Sequence, residues 1–389
     1  MTRRVLQFAP FVGDDEYAAI RECFDANWLT EGPKSRQFVD ELKTLMDVRH
    51  ASLAPNGTLA IYLALRALDI GPGDDVVVPS FTFFGSASAV QMCGATPVFC
   101  DIDPETLQAT AKHFAASLTP RTKAIMPVHV YGMCCDMDPI MALARSRGLL
   151  VVEDAAQAVG VRYHGRHAGT FGDAGTFSFF ADKTITTGEG GLVVTNDDAA
   201  AESLLYLRNQ GRLDRGSFVH PHLGYNFRLT DLQAAVGLVQ LAKLDEIARI
   251  KLDNLNCYRA LLEGIPEVRF LQVSPGSTHI PFRVAIYAER AMPLMRHLEA
   301  RGIQTRTFFY PLHRQPAFQY LRDDPARAPA MDDRHFPGAV FAYDNGVCLP
   351  SYPGLPREDL QFVCETIREF YADARSASVR VEAGAPPPR

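Results

Sequence analysis

Between about Ser52 and about Asn196 the chain alternates, again and again, a short β-branched run with a stretch of helical spacing. The runs are Asp75–Pro79, Pro97–Asp101, Ala124–Val130, Leu149–Asp154, Gly175–Phe180 and Gly191–Thr195. They are apolar nearly throughout rather than at every second residue, which marks strands covered on both faces. Between them, Thr58–Leu68 and Met137–Arg147 place apolar residues three and four apart, as half-buried helices do. This alternation predicts an α/β fold: a large, mostly parallel sheet with helices on both faces. In such a sheet the carboxyl ends of the strands form the edge where ligands bind.

The remainder of the chain is organised differently. Thr230-Asp231 resembles a helix cap, and Leu232–Leu262 reads as one long helix that links two units. Strands are expected at Val268–Val273, Pro281–Tyr287 and Thr305–Tyr310, with helices at Met292–Arg301 and Asp359–Ala372, which together describe a small α+β unit. The expected partition is 1–245 for the large unit with an N-terminal arm, 246–375 for the small one and 376–389 for a tail of disordered composition. A chain of 389 residues, 47% hydrophobic and 22% charged, has enough apolar content for one large core and a smaller companion.

A net charge of −6 and a pI near 6.0 supply no basic field for nucleic acid. Neither a membrane-length apolar run nor a secretion signal after Met1-Thr-Arg-Arg4 is visible. The eight cysteines lack paired metal-ligand spacing, so the expectation is no metal and reduced thiols in a cytoplasmic protein.

Chemistry is expected where the strands end. Asp154 closes one apolar run and precedes Ala155-Ala-Gln-Ala158; taken alone it reads first as a helix cap and next as a carboxylate at the binding edge. Lys183 follows the run ending at Phe180 and precedes the turn Gly188-Glu-Gly-Gly191. It reads either as an exposed turn lysine or as an amine held with little water around it, as Schiff-base chemistry requires. Asn56-Gly57-Thr58 opens a helix, whose first N–H groups and dipole favour an anion. With the Ser178 hydroxyl these parts make up a phosphate cradle, a carboxylate for a ring nitrogen and an amine for an aldehyde. That combination is what pyridoxal 5'-phosphate requires.

From about Gln7 to about Tyr371 the sequence resembles the DegT-type nucleotide-sugar aminotransferases, a family of fold type I pyridoxal-phosphate enzymes. The resemblance rests on Asn56-Gly-Thr58, Pro79-Ser-Phe-Thr-Phe83, Glu153-Asp-Ala-Ala-Gln157, Ser178–Gly191 and Gly224-Tyr-Asn-Phe-Arg-Leu-Thr-Asp231. It implies that Lys183 is the Schiff-base lysine and Asp154 the partner of the pyridinium nitrogen. It further implies that Gln157 lies beside the ring hydroxyl, that Ser178 and the amides of Gly57 and Thr58 hold the phosphate, and that Phe83 stacks on the ring. Asn226 matches an asparagine that reaches the phosphate from the neighbouring subunit, which implies a homodimer with shared sites.

The same resemblance implies that L-glutamate gives its amino group to the cofactor and a nucleotide-linked keto-deoxysugar receives it. Lys183–Gly191 and Phe308–Pro316 look most like the C4-aminating, perosamine-synthase-like members, which act on 4-keto-6-deoxy sugars in polysaccharide biosynthesis. Thr30 and Glu31, in Trp28-Leu-Thr-Glu-Gly-Pro33, match a segment near the substrate, although the family's usual residues there are small hydroxyls. His313 is a further substrate candidate or else a structural histidine, and Trp28 reads as a core anchor. Other readings are an acceptor that is a 3-keto sugar or keto-cyclitol, and a regulator that kept the fold without catalysis. Lys183 argues against a dehydratase relative, which replaces the lysine with histidine. A dinucleotide fold is excluded by the late position of Gly188–Gly191.

Overall fold

The computed structural model describes residues 3–212 and 218–383, with 376–383 described by backbone alone. Its large sheet has seven strands: β1 (His50–Ala54), β2 (Asp75–Pro79), β3 (Thr96–Cys100), β4 (Thr122–Ile125), β5 (Leu150–Asp154), β6 (Ala174–Ser178) and β7 (Gly191–Thr195). Their order across the sheet is β1-β7-β6-β5-β4-β2-β3. The neighbours from β3 to β6 pair in parallel, and β7 runs antiparallel to both β1 and β6. Every residue of β2, β6 and β7 is buried, the cause of their largely apolar or small residues. The run expected over Ala124–Val130 stops at Ile125. Pro127 has no N–H to give the ladder, although its carbonyl still accepts from Asp154 N (2.9 Å).

Helices α1 (Asp14–Asp25), α2 (Pro33–Met46), α3 (Gly57–Ala67) and α4 (Phe84–Met92) lead toward the sheet or pack on it, with α3 against α4, β6 and β7. The long helix expected over Leu232–Leu262 is two helices, α5 (Asp231–Ala242) and α6 (Leu244–Leu261). The break falls at Lys243 (φ −91°, ψ 0°). No glycine or proline announces it. The Lys243 ammonium is tied to Asp15 and Glu16 of α1 at 3.0 Å each, a tertiary pull that local propensity does not contain.

A second, antiparallel sheet holds β8 (Val268–Phe270), β9 (Val284–Ala288), β10 (Arg306–Thr307) and β11 (Gly346–Leu349), in the order β8-β9-β11-β10. β11 was not among the expected strands, because Val347-Cys-Leu349 is too short a run to stand out. Helices α7 (Ala291–Ala300) and α8 (Arg357–Ala383) complete this unit. α8 outruns the expected Asp359–Ala372 and enters the stretch read as a disordered tail, since no glycine or proline interrupts it before Gly384. Residues 384–389 lie outside the described ones.

Two apolar clusters organise the chain. The larger surrounds the seven-stranded sheet and takes Leu244 and Ile247 from α6; the smaller takes Leu255 and Tyr258 from the same helix, with Val284, Leu294, Val347 and Leu360. Both clusters draw on α6, and the larger one also takes Phe308, Phe336 and Ala342 from the stretch expected to form the small unit. The N-terminal arm departs from the expected partition. Val5 belongs to the smaller cluster and bridges to Ile303, its N–H donating to Gly302 O at 2.9 Å. All eight cysteines are buried and unpaired, and among the described residues no helix is long and apolar enough to cross a membrane.

Candidate active site

β5 delivers Asp154 to the carboxyl edge of the sheet, where the side chain is 5% exposed. Its Oδ2 accepts from Ser86 Oγ at 2.7 Å and its Oδ1 from Ala156 N at 3.1 Å. Ser86 belongs to α4 and meets Thr82 Oγ1 at 2.9 Å, so the carboxylate is oriented by the helix after β2. The neighbouring Glu153 points to the other face of the strand. Its carboxylate is consumed there by the N–H groups of Gly169 (2.8 Å), Phe171 (2.5 Å) and Gly172 (2.7 Å) and by His129 Nε2 (2.9 Å). Of the adjacent carboxylates, Asp154 alone faces the edge.

The anion end of the edge is built by close approach. Asn56 caps α3, accepting from Leu59 N at 2.9 Å, and leaves the first-turn N–H groups without helical partners. A Cβ on Gly57 would stand 2.8 Å from Ser178 Cβ, and one on Gly191 would stand 2.4 Å from Asn56 O. These glycines let α3, β6 and β7 close around one small bowl rimmed by the Ser178 hydroxyl. Thr58 Oγ1 faces the start of α4, where a Cβ on Gly85 would lie 2.8 Å from it and 3.3 Å from Phe83 Cδ1. Phe83 itself is 61% exposed, which leaves a ring face open at this edge.

Lys183 sits on the loop after β6. Thr186 Oγ1 pins this loop by donating to Phe179 O (2.9 Å), and Gly188, at φ +79°, turns it back toward β7. The Lys183 amine lies 4.7 Å from the Phe282 ring centroid and 4.0 Å from Asp182 Oδ1. Burial pushes its pKa below the ordinary lysine value; Asp182 and Asp154 oppose that shift and Arg283 adds to it. Asp154 closes β5 and Lys183 follows β6, its parallel neighbour, so both lie at the carboxyl edge of the sheet. Gln157, 7% exposed, accepts from Tyr131 N through Oε1 at 2.7 Å, which assigns the opposite end of its amide as donor.

Tested against pyridoxal phosphate, these residues fit. A bowl that no Cβ could enter, helix N–H groups and a hydroxyl suit a phosphate; a desolvated amine, a fixed carboxylate and an exposed ring suit the pyridine.

The other expected residues lie elsewhere. Asn226 is exposed, its flanks bonded to the end of the helix Asp198–Arg208 (Tyr225 N to Leu207 O, 2.7 Å; Phe227 N to Arg208 O, 3.1 Å). Thr30 is exposed, and its carbonyl accepts from Asp231 N (3.2 Å). Glu31 Oε1 accepts from Arg208 Nη2 at 2.7 Å, which makes it the counter-ion of an arginine that is 8% exposed. Trp28 is no core anchor: it is 42% exposed and lies over Gly32, where the absent side chain makes room for the indole.

His313 is 1% exposed, which suits the structural one of its two expected readings. Its Nδ1 meets Ser80 Oγ (2.6 Å), its Nε2 meets Asp333 Oδ1 (2.9 Å), and its ring stacks on Phe336 at 3.9 Å. Sequence reading did not single out Ser86, Asp182, Phe282 or Arg283. Arg283 carried a signal, being a charge inside the apolar run Pro281–Tyr287 that had to find a partner.

The sequence profile of the DegT/DnrJ/EryC1/StrS aminotransferase family matches residues 10–368. GDP-perosamine synthase of Escherichia coli O157:H7 is 38% identical, over 94% of this chain and 98% of its own. GDP-perosamine synthase of Caulobacter vibrioides is 40% identical, over 92% of this chain and 96% of its own. The crystal structure of the aminotransferase TlmJ from Streptoalloteichus hindustanus superposes with a TM-score of 0.88 at 32% identity, covering 95% of this chain and 100% of that one.

Proposed function

The chain belongs to the DegT/DnrJ/EryC1/StrS aminotransferase family, pyridoxal-phosphate enzymes that aminate nucleotide sugars, and from that membership we propose its reaction: transfer of an amino group from L-glutamate to the C4 ketone of a nucleotide-linked 4-keto-6-deoxy sugar. The observation that carries the reading is a largely buried Lys183 amine and the Asp154 carboxylate at the carboxyl ends of two neighbouring parallel strands, beside a bowl suited to phosphate. The choice of C4 and of a guanosine carrier is supported by the two relatives named for GDP-perosamine.

In this reading Gly57, Thr58 and Ser178 hold the phosphate, Phe83 covers one ring face, Gln157 donates to the ring hydroxyl and Asp154 keeps a proton on the ring nitrogen. Bound there, the cofactor supplies an aldehyde that carries the amino group and a ring that takes up an electron pair. Lys183 Nζ, when free, takes the proton from Cα of the donor and later delivers one to C4 of the sugar. Phe282 beside the amine excludes water, and the burial holds the amine's proton less tightly than an ordinary lysine does. The assembly is a homodimer in which Asn226 of the partner subunit completes the phosphate site. Buried, unpaired cysteines suit a cytoplasmic enzyme that feeds polysaccharide synthesis.

The test is incubation of the enzyme with glutamate and a panel of 4-keto and 3-keto sugars on guanosine, uridine and thymidine diphosphate, with mass detection of the amine. A product from the 4-keto guanosine sugar is expected. Amination of 3-keto members alone would overturn the C4 assignment.

A further inference from the structure

Two residues without a part in the transfer just described stand against the reactive amine. Asp182 Oδ2 is ion-paired to Arg283 Nη2 at 2.5 Å, with the side chains 10% and 9% exposed. Arg283 Nη1 donates onward to Gln7 Oε1 on the N-terminal arm, which fixes the guanidinium from two sides. The remaining carboxylate oxygen, Asp182 Oδ1, is buried without a hydrogen-bond partner and lies 4.0 Å from Lys183 Nζ. That is an ion-pair distance but too long for a hydrogen bond. Phe282 fills the space between the cations, its ring centroid 4.7 Å from Lys183 Nζ and 4.7 Å from Arg283 Cζ.

A base that takes a proton and later returns it works best when its own affinity lies near the ambient pH. Burial lowers the proton affinity of the Lys183 amine, and a carboxylate beside it raises that affinity. The Asp182–Arg283 pair supplies the carboxylate with its charge already offset. We propose that Asp182, held by Arg283, is a positioning residue for Lys183: it orients the amine whenever the amine is free, and the pair sets how tightly the amine holds its proton. The inference rests on Lys183 being the reactive amine. The charged groups that face Lys183 are Asp154, Asp182 and Arg283, and a second buried lysine, Lys251, faces the same Asp182 and Arg283 while donating to Pro281 O and Phe282 O.

The experiment uses the full-length protein freed of cofactor, so it measures the amine without any turnover. Trace acetylation with acetic anhydride is followed across pH, and the Lys183 peptide is read by mass spectrometry against exposed Lys112, with Lys251 read separately. Asp182→Asn removes the carboxylate and leaves Arg283 bare, so the Lys183 midpoint should fall by about one pH unit. Arg283→Gln should raise it by a similar amount, and Arg283→Lys should stay close to wild type. Loosened packing would admit water and raise the midpoint in both charge-removing variants. A rise or no change in Asp182→Asn therefore overturns the proposal, and it does so even if Arg283→Gln does not fold. Attachment of the cofactor to a different lysine would instead sink the reading of Lys183 while leaving this titration intact.

Discussion

Ser86 Oγ donates to Asp154 Oδ2 at 2.7 Å, so a hydroxyl from the helix after β2 fixes the carboxylate that β5 presents. The contact separates two effects. Asp154→Asn should fold and bind cofactor but lose turnover by on the order of 100-fold or more, because a neutral amide cannot hold the ring-nitrogen proton. Ser86→Ala keeps the charge and loses one hydrogen bond, so its loss should be nearer 10-fold. Steady-state rates and the visible spectrum of the bound cofactor check both. Near-normal turnover in Asp154→Asn would return Asp154 to the part of a helix cap.

The bowl can be closed by one methyl group. Gly191→Ala would place its Cβ 2.4 Å from the carbonyl oxygen of Asn56, backbone that cannot rotate away. The expected cost is about 1–3 kcal/mol of stability, together with a loss of cofactor measured as bound stoichiometry. Gly148→Ala is the control. Its Cβ would meet nothing within 4 Å, although its φ of +64° carries a strain of its own, so it should lose some stability but no cofactor. Equal cofactor content in both variants would show that Gly191 has no bearing on the bowl.

Acid sensitivity follows from two buried imidazoles. His167 and His279 are each pushed down to about 4, chiefly by burial. Gly160 N donates to His167 Nε2 at 2.9 Å, which suits the neutral ring. A histidine with a depressed folded pKa binds more protons unfolded than folded between that value and its ordinary 6.5. Its stabilisation is therefore complete above pH about 6.5 and declines as pH falls toward 4. Denaturant midpoints across this window should fall with acidification, and His167→Gln should show a shallower fall than the parent. Parallel curves would remove His167 as a cause.

The sheet and its reactive edge were legible because burial on both faces forces nearly continuous apolar runs, and such runs end where Asp154 and the Lys183 loop must emerge. What was not legible depends on partners far away in the chain. The break at Lys243 is set by Asp15 and Glu16, and the burial of His313 by Ser80 and Asp333. Neither can be read from the residues next door. Glu31, which departs from the family's small hydroxyls, is accounted for by the buried Arg208. β11 shows another limit: four residues in the middle of the second sheet take their strand identity from β9 and β10 rather than from their own pattern.

The last expectation concerns assembly. Asn226 is exposed between Tyr225 and Phe227, whose rings stack at 5.0 Å and whose backbones are bonded to the end of Asp198–Arg208, so the side chain is presented outward on a fixed ridge. If it completes a neighbouring phosphate site, two inactive proteins should complement each other. Lys183→Ala lacks the amine, and Asn226→Asp sets a negative charge against the phosphate. In a mixed dimer one site takes Lys183 from the second parent and Asn226 of the partner subunit from the first, while the other site carries both lesions. Mixing should then restore activity to at most about a quarter of wild type, since half the dimers are mixed and each has one intact site. Differently tagged chains verify that subunits exchange. Exchange without any return of activity, both parents being dead, would mean that Asn226 serves its own subunit's site or none.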